Sequence, residues 1–170
     1  MNDLSKAEKL TFVKMRPLHA EKILFWQYPE PYSIYNLEPT NECLQELING
    51  SYFSVINQEN ELVGFCCTGE EARVPGGYDT GVYEKQCFLD IGIGLKPELT
   101  GMGIGEQFFK KVLQFLGDTY STERFRLVVA AFNKRAIRLY LKTGFIEQQY
   151  FSSKVKGSNM TFLSMIKEPK

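Results

Sequence analysis

The stretch Leu95-Lys96-Pro97-Glu98-Leu99-Thr100-Gly101-Met102-Gly103-Ile104-Gly105 lies between an apolar run and an amphipathic one. Cys87 to Leu95 has the composition of a central strand. From about Gly103 to Leu116, Ile104, Phe108, Val112 and Leu116 recur every four residues, and Phe109 and Leu113 widen the stripe, which predicts a helix. A glycine-rich turn from strand to helix gathers backbone N–H groups at the positive end of the helix dipole, where an anion is stabilised. Thr100, Gly101, Met102, Gly103, Ile104 and Gly105 are therefore candidates for holding a pyrophosphate. A turn of this composition also serves structure alone. It is not the dinucleotide fingerprint, because Glu106 stands where the last glycine is needed, and no Gly-Lys-Ser/Thr forms a Walker loop.

Upstream, Leu10 to Arg16 reads as a strand, and Pro17 opens a helix running to about Trp26, proline being tolerated at a first helical position. Gln27 to Pro39 carries three prolines and three tyrosines and reads as an aromatic loop. Thr40 to Ile48 is a second helix, ended by Asn49-Gly50. Tyr52 to Ile56 and Leu62 to Thr68 form a hairpin, and Ala72 to Gln86, with Pro75, Gly76, Gly77 and Gly81, is a long loop. Downstream, Phe125 to Ala131 is a buried strand, Asn133 caps a helix ending before Gly144, and Phe145 to Val155 and Met160 to Ile166 are strands joined through Gly157-Ser158-Asn159.

Length and 44% apolar composition suit one domain, residues 1-170, with one substantial core. Twenty basic residues balance twenty acidic ones, so no nucleic-acid partner is expected. Met1 to Lys9 is charged and no window is long and apolar enough to span a bilayer, so a cytoplasmic chain without a membrane partner is expected. Cys43, Cys66, Cys67 and Cys87 show no Cys-x-x-Cys spacing and read as reduced, the adjacent pair facing opposite sides of a strand. His19, the one histidine, reads as a solvated residue at a helix start and leaves no basis for a histidine metal cluster.

Leu95 and Pro97 before the glycines, and Asn133, Tyr140, Gly144 and Phe145 after them, complete an arrangement that resembles the GNAT acetyltransferases. The resemblance covers the order of elements over nearly the whole chain, and its motifs span Leu89 to Phe145. It implies an α/β (α+β) fold, a mixed and largely antiparallel sheet of six or seven strands with helices on both faces. It also implies acetyl-CoA as acyl donor, with the pyrophosphate on Gly101 to Gly105 and the thioester end flanked by Asn133 and Tyr140. Two departures stand out. The family usually has Gln or Arg at the position of Thr100, and the glutamate base of the branch that acetylates ribosomal proteins is replaced by Val128.

On β periodicity Asp90, Gly92 and Gly94 share one face of their strand, and the glycines leave room for a pantetheine arm. In the family fold the backbone of Ile93 and Leu95 would bind that arm, with Gly94 between them. Tyr140 is the candidate general acid, since a phenol stays protonated at neutral pH, and packing in the core is its plainer use. Asn133 combines contact to CoA with capping. Asp90 is the candidate base and Glu84 the second choice, although a strand carboxylate is more often simply paired. Lys110, Lys111, Lys134 and Arg135 are candidates for the 3′-phosphate. Trp26, Tyr28, Tyr32 and Tyr35 are expected around the acceptor, with 72–86 closing over it. The expected acceptor is an amine, small molecule or peptide, attacked directly without an acyl-cysteine. A non-catalytic acyl-CoA sensor is the rival reading, and a homodimer is left open.

Overall fold

The computed structural model describes residues 9–170. Apart from Lys9, the charged segment Met1 to Lys9 thus lies outside the described residues. Among those residues the strands are β1 (Thr11–Lys14), β2 (Tyr52–Ile56), β3 (Leu62–Thr68), β4 (Leu89–Leu95), β5 (Phe125–Ala130), β6 (Ile146–Val155) and β7 (Ser158–Lys167). The α-helices are α1 (Pro17–Leu24), α2 (Asn41–Leu47), α3 (Gly105–Tyr120) and α4 (Lys134–Lys142). The seven-stranded sheet has the order β1-β2-β3-β4-β5-β7-β6. The β4–β5 pairing is parallel, whereas β1/β2, β2/β3, β5/β7 and β6/β7 are antiparallel.

The chain falls into two compact units, Met1–Cys67 with Ile93–Phe115, and Thr68–Gly92 with Leu116–Lys170. Both β4 and α3 begin in one unit and end in the other. In the first unit the sheet is covered on both faces. Phe12 stacks on Phe115 of α3 at 4.3 Å between ring centroids, and Phe53 meets the same ring edge-on at 5.0 Å. The opposite face carries Phe65, which packs on Trp26 and Tyr52 with centroids 6.0 Å away. Met15, Ala20, Ile23, Leu24, Trp26, Leu47 and Leu62 form the buried cluster on which α1 and α2 rest. Each fully buried large apolar side chain of this kind contributes about 1.5–3 kcal/mol.

The second unit is built on β5, β7 and β6, with an antiparallel ladder from Phe125↔Lys167 to Ala130↔Phe162. The β6–β7 hairpin turns through Lys156-Gly157 alone, because Val155 already pairs with Ser158. Both turn residues have positive φ, 50° and 83°, as a tight two-residue hairpin turn requires. The expected tip, Gly157-Ser158-Asn159, is thus shifted back by a residue.

Helix α3 starts later and ends later than its apolar stripe suggested. Gly101 and Gly103 adopt φ of 74° and 77°, which no α-helix can include, so the helix begins only at Gly105. Gly117 costs about 1 kcal/mol relative to alanine and does not stop it. The end comes after Tyr120, where Ser121 takes φ 52°. His19 is also not a solvated residue. It is 8% exposed, and its Nδ1 lies 2.9 Å from the Ser54 hydroxyl.

Candidate active site

In the first unit, β4 runs into a 3-10 turn, Pro97–Leu99, and then into the glycine loop. The Thr100 hydroxyl donates to the Pro97 carbonyl at 2.7 Å, so this side chain braces the turn. Gly101, Met102 and Gly103 are exposed. A Cβ on Gly103 would meet nothing within 4 Å, so its left-handed backbone, not crowding, selects glycine there. The first helical hydrogen bond runs from Phe108 N–H to the Ile104 carbonyl at 3.0 Å. The N–H groups of the preceding turn have no acceptor within the helix and point along the dipole, the arrangement that binds a phosphate. Glu106 in that first turn is paired with Lys110 at 2.9 Å, an exposed pair that employs one of the cations considered for the 3′-phosphate.

At the end of β4 the structure corrects two expectations. The Leu95 carbonyl is not left open for a pantetheine arm, because the Tyr28 hydroxyl donates to it at 2.7 Å. The following amide, Lys96 N–H, donates to the Val63 carbonyl at 2.9 Å, so this peptide group is held by both polar atoms. Gly94 likewise does not make room for a ligand on its Cβ side. A Cβ there would lie 2.2 Å from the Phe65 ring, so glycine is needed for Phe65 to cross the strand. Burial, and then the charge of Glu98, push the Tyr28 hydroxyl above the usual tyrosine range, so it stays a donor. Ile93, between these points, is half-buried.

In the second unit Asp90 is 5% exposed and fully engaged. Arg126 grips it with both arms, Nε to Oδ1 at 2.6 Å and Nη2 to Oδ2 at 2.9 Å, and Arg73 Nε adds a third bond to Oδ2 at 2.9 Å. Three guanidinium N–H groups thus take up most of the acceptor sites of this carboxylate, the arrangement of a structural ion pair, which speaks against Asp90 as the base. Arg126 Nη1 then reaches the Val82 and Lys85 carbonyls at 2.8 and 3.0 Å. The Tyr83 ring is shared by the two guanidinium groups, at 4.8 Å from Arg73 and 5.0 Å from Arg126. Its hydroxyl accepts from Val74 N–H at 2.8 Å, and Gly76 N–H donates to the Ser153 hydroxyl at 2.9 Å. The segment expected to close over the acceptor is therefore pinned along its length, and Glu84 on it is exposed.

Asn133 caps α4 as expected, Oδ1 accepting from Ala136 N–H at 3.1 Å. Tyr140 is 9% exposed, and its ring lies 6.1 Å from that of Phe145. Burial pushes the Cys66 thiol up, which keeps it from acting as a nucleophile. Sequence reasoning missed Arg126, Arg73 and Tyr83 as one cluster. The only signal was a charge inside the apolar run Phe125 to Ala130, which stands opposite Asp90 in the β4–β5 register. Among the described residues, no His, Cys, Asp and Glu side chains group to hold a metal ion, and no helix is long and apolar enough to cross a membrane.

The sequence and fold are similar to those of characterised acetyltransferases. The spermine/spermidine N(1)-acetyltransferase of Bacillus subtilis (strain 168) is 29% identical over 112 residues, which cover 64% of this chain and 70% of that protein. A spermidine N-acetyltransferase SpeG chimera from Vibrio cholerae and hSSAT superposes with a TM-score of 0.72 at 19% identity, over 95% of this chain and 96% of the other. An acetyltransferase (GNAT family) from Bacillus anthracis gives a TM-score of 0.66 at 16% identity over 95% of both chains. At these identities the structures speak for the fold alone. The profile of the Acetyltransferase (GNAT) family matches residues 19–145, most of the chain. The glycine turn at the mouth of α3 thus stands in a chain that belongs to the GNAT acetyltransferase family and is an N-acetyltransferase.

Proposed function

We propose that residues 1-170 act as one GNAT domain that moves the acetyl group of acetyl-CoA to a primary amine of a small polyamine. The observation that carries the donor assignment is the loop of Thr100 to Gly105, with Gly101 and Gly103 left-handed and exposed directly before α3. The acceptor assignment is supported by the similarity to a spermine/spermidine acetyltransferase. It suits the chemistry of Gln27 to Pro39, where Glu30 and Glu38 alternate with Tyr28, Tyr32 and Tyr35. Carboxylates and aromatic faces attract ammonium groups.

In this reading acetyl-CoA supplies an activated carbonyl, and the neutral amine nitrogen attacks it directly. The C–N bond forms, the C–S bond breaks, and Tyr140 gives its hydroxyl proton to the departing sulfur. Backbone groups of Ile93, Gly94 and Leu95 orient the arm, in the case of Leu95 through its N–H. Asn133 keeps its cap while contacting the donor. With Asp90 bound to two arginines, the proton lost by the amine goes to water or to exposed Glu84.

The test is release of CoA thiol from acetyl-CoA with spermidine, spermine, a simple monoamine and an N-terminal peptide. Polyamine-dependent release is expected. Release with peptide only would move the function to protein acetylation, and binding of acetyl-CoA without release for any amine would favour a sensor. A cytoplasmic setting accompanies this proposal.

A further inference from the structure

Tyr28 heads the aromatic segment that follows α1, and the segment closes on itself. Tyr28 N–H donates to Asn36 Oδ1 at 2.7 Å, Asn36 Nδ2 donates to Gln27 Oε1 at 3.4 Å, and the Ser33 hydroxyl donates to Glu30 Oε1 at 2.5 Å. The Tyr28 and Tyr35 rings meet edge-on at 6.5 Å. From this closed loop the Tyr28 hydroxyl reaches the Leu95 carbonyl, whose peptide is held from its other side by Val63.

We infer that Tyr28 is a positioning residue for acetyl transfer, its hydroxyl tying the loop of Gln27 to Asn36 to the end of β4. The inference rests on the function proposed above. The loop carries Glu30 and the three tyrosines offered to the amine, and β4 leads directly into the turn offered to the donor. One hydrogen bond keeps the two in register. The hydroxyl does this as a neutral donor, without gaining or losing a proton. Removing it frees the loop and leaves a half-buried carbonyl without its partner. Transfer rates fall steeply when reacting groups drift from alignment, whereas donor affinity rests on the backbone of the glycine loop. The cost therefore falls on kcat.

Tyr28→Phe removes the hydroxyl and keeps the ring. With saturating acetyl-CoA and spermidine, kcat should drop about tenfold, while KM for acetyl-CoA stays within about twofold and the pH profile of kcat keeps its shape. By hydrogen exchange, the Lys96 amide should open about tenfold more readily, as its peptide loses one of two restraints. Asn36→Ala, which frees the Tyr28 backbone but spares the hydroxyl, should lower kcat in the same direction by less. Wild-type kcat and wild-type Lys96 exchange in Tyr28→Phe would overturn the inference. So would a higher KM for acetyl-CoA at unchanged kcat, which would make the hydroxyl a ligand contact, or a shifted pH profile, which would make it an acid or base. A wild-type protein that releases no thiol with any amine would bring down the proposed function itself, and this inference with it.

Discussion

The glycine loop of Thr100 to Gly105 and the ionic cluster of Asp90, Arg126 and Arg73 are opposite solutions to placing charge in a small fold. The loop is made of consecutive residues, is exposed at Gly101, Met102 and Gly103, and leaves open space around the Cβ position of Gly103. The cluster is buried at Asp90 and Arg126 and half-buried at Arg73, is drawn from three separate parts of the chain, and is joined by hydrogen bonds at 2.6 to 2.9 Å. A site that must admit an anion keeps its donors uncommitted, whereas one that holds a fold together leaves none open. Asp90 and Gly101 were both candidate functional positions, and this difference separates them.

The largest effect expected from this contrast is on stability. Arg126→Met would leave Asp90 buried with one of its three hydrogen bonds and take Nη1 away from the Val82 and Lys85 carbonyls. Breaking a buried charge pair in this way costs about 3–5 kcal/mol. Urea denaturation should show that loss, and a change below about 1 kcal/mol, the range of surface ion pairs, would erase the distinction between cluster and loop.

Next comes Tyr140→Phe, which tests whether a buried ring of the second unit also works chemically. A lost general acid costs about 10²-fold or more in kcat, with acetyl-CoA affinity nearly intact, if thiolate departure limits the rate. Wild-type kcat with an acceptor for which chemistry is rate-limiting would return Tyr140 to packing alone. A smaller change is expected for Gly103→Val. The β-branched residue must adopt φ near 77°, at a cost of roughly 1–2 kcal/mol, and it places a side chain where phosphate would sit. Calorimetry should show acetyl-CoA binding weakened by about tenfold, the equivalent of ~1.4 kcal/mol. Unchanged affinity in the folded variant would remove the loop from the site.

The smallest effect is on pH dependence. Burial, with help from the charges of Arg16 and Lys22, holds the His19 imidazole below its ordinary range. The unfolded chain therefore binds the proton more readily. The stability this histidine contributes is complete above the ordinary histidine pKa of ~6.5 and is lost as pH falls through that range. His19→Gln should flatten the acid side of the stability curve there. An unaltered slope would mean that burial beside Arg16 and Lys22 does not discriminate between protonation states.

The contrast also explains what could be read from the sequence. Hairpins, helices and the glycine loop depend on neighbours a few residues away, so periodicity and turn residues exposed them. The α3 boundaries missed by a few residues because the left-handed φ of Gly103 and Ser121, rather than the apolar stripe, sets where the helix can exist. Arg73, Tyr83 and Arg126 were opaque, since nothing local says which carboxylate a guanidinium will meet. Gly94 was read for a ligand although Phe65 claims its space, and Leu95 was read as open although Tyr28 closes it. For the arginines, Tyr83, Gly94 and Leu95 the missing fact was a long-range partner. The sheet class survived these errors because it was implied by the resemblance to the GNAT acetyltransferases, which rests on the order of elements over nearly the whole chain.

The most direct test of the central claim, that the backbone of the glycine loop holds the acyl donor, is amide hydrogen exchange with and without acetyl-CoA. Protection should gather at the amides of Gly101 to Glu106, while those of Val74 to Val82, already fixed by the arginine cluster, should change little. Saturating acetyl-CoA that leaves Gly101 to Glu106 exchanging as in the free protein would contradict the account.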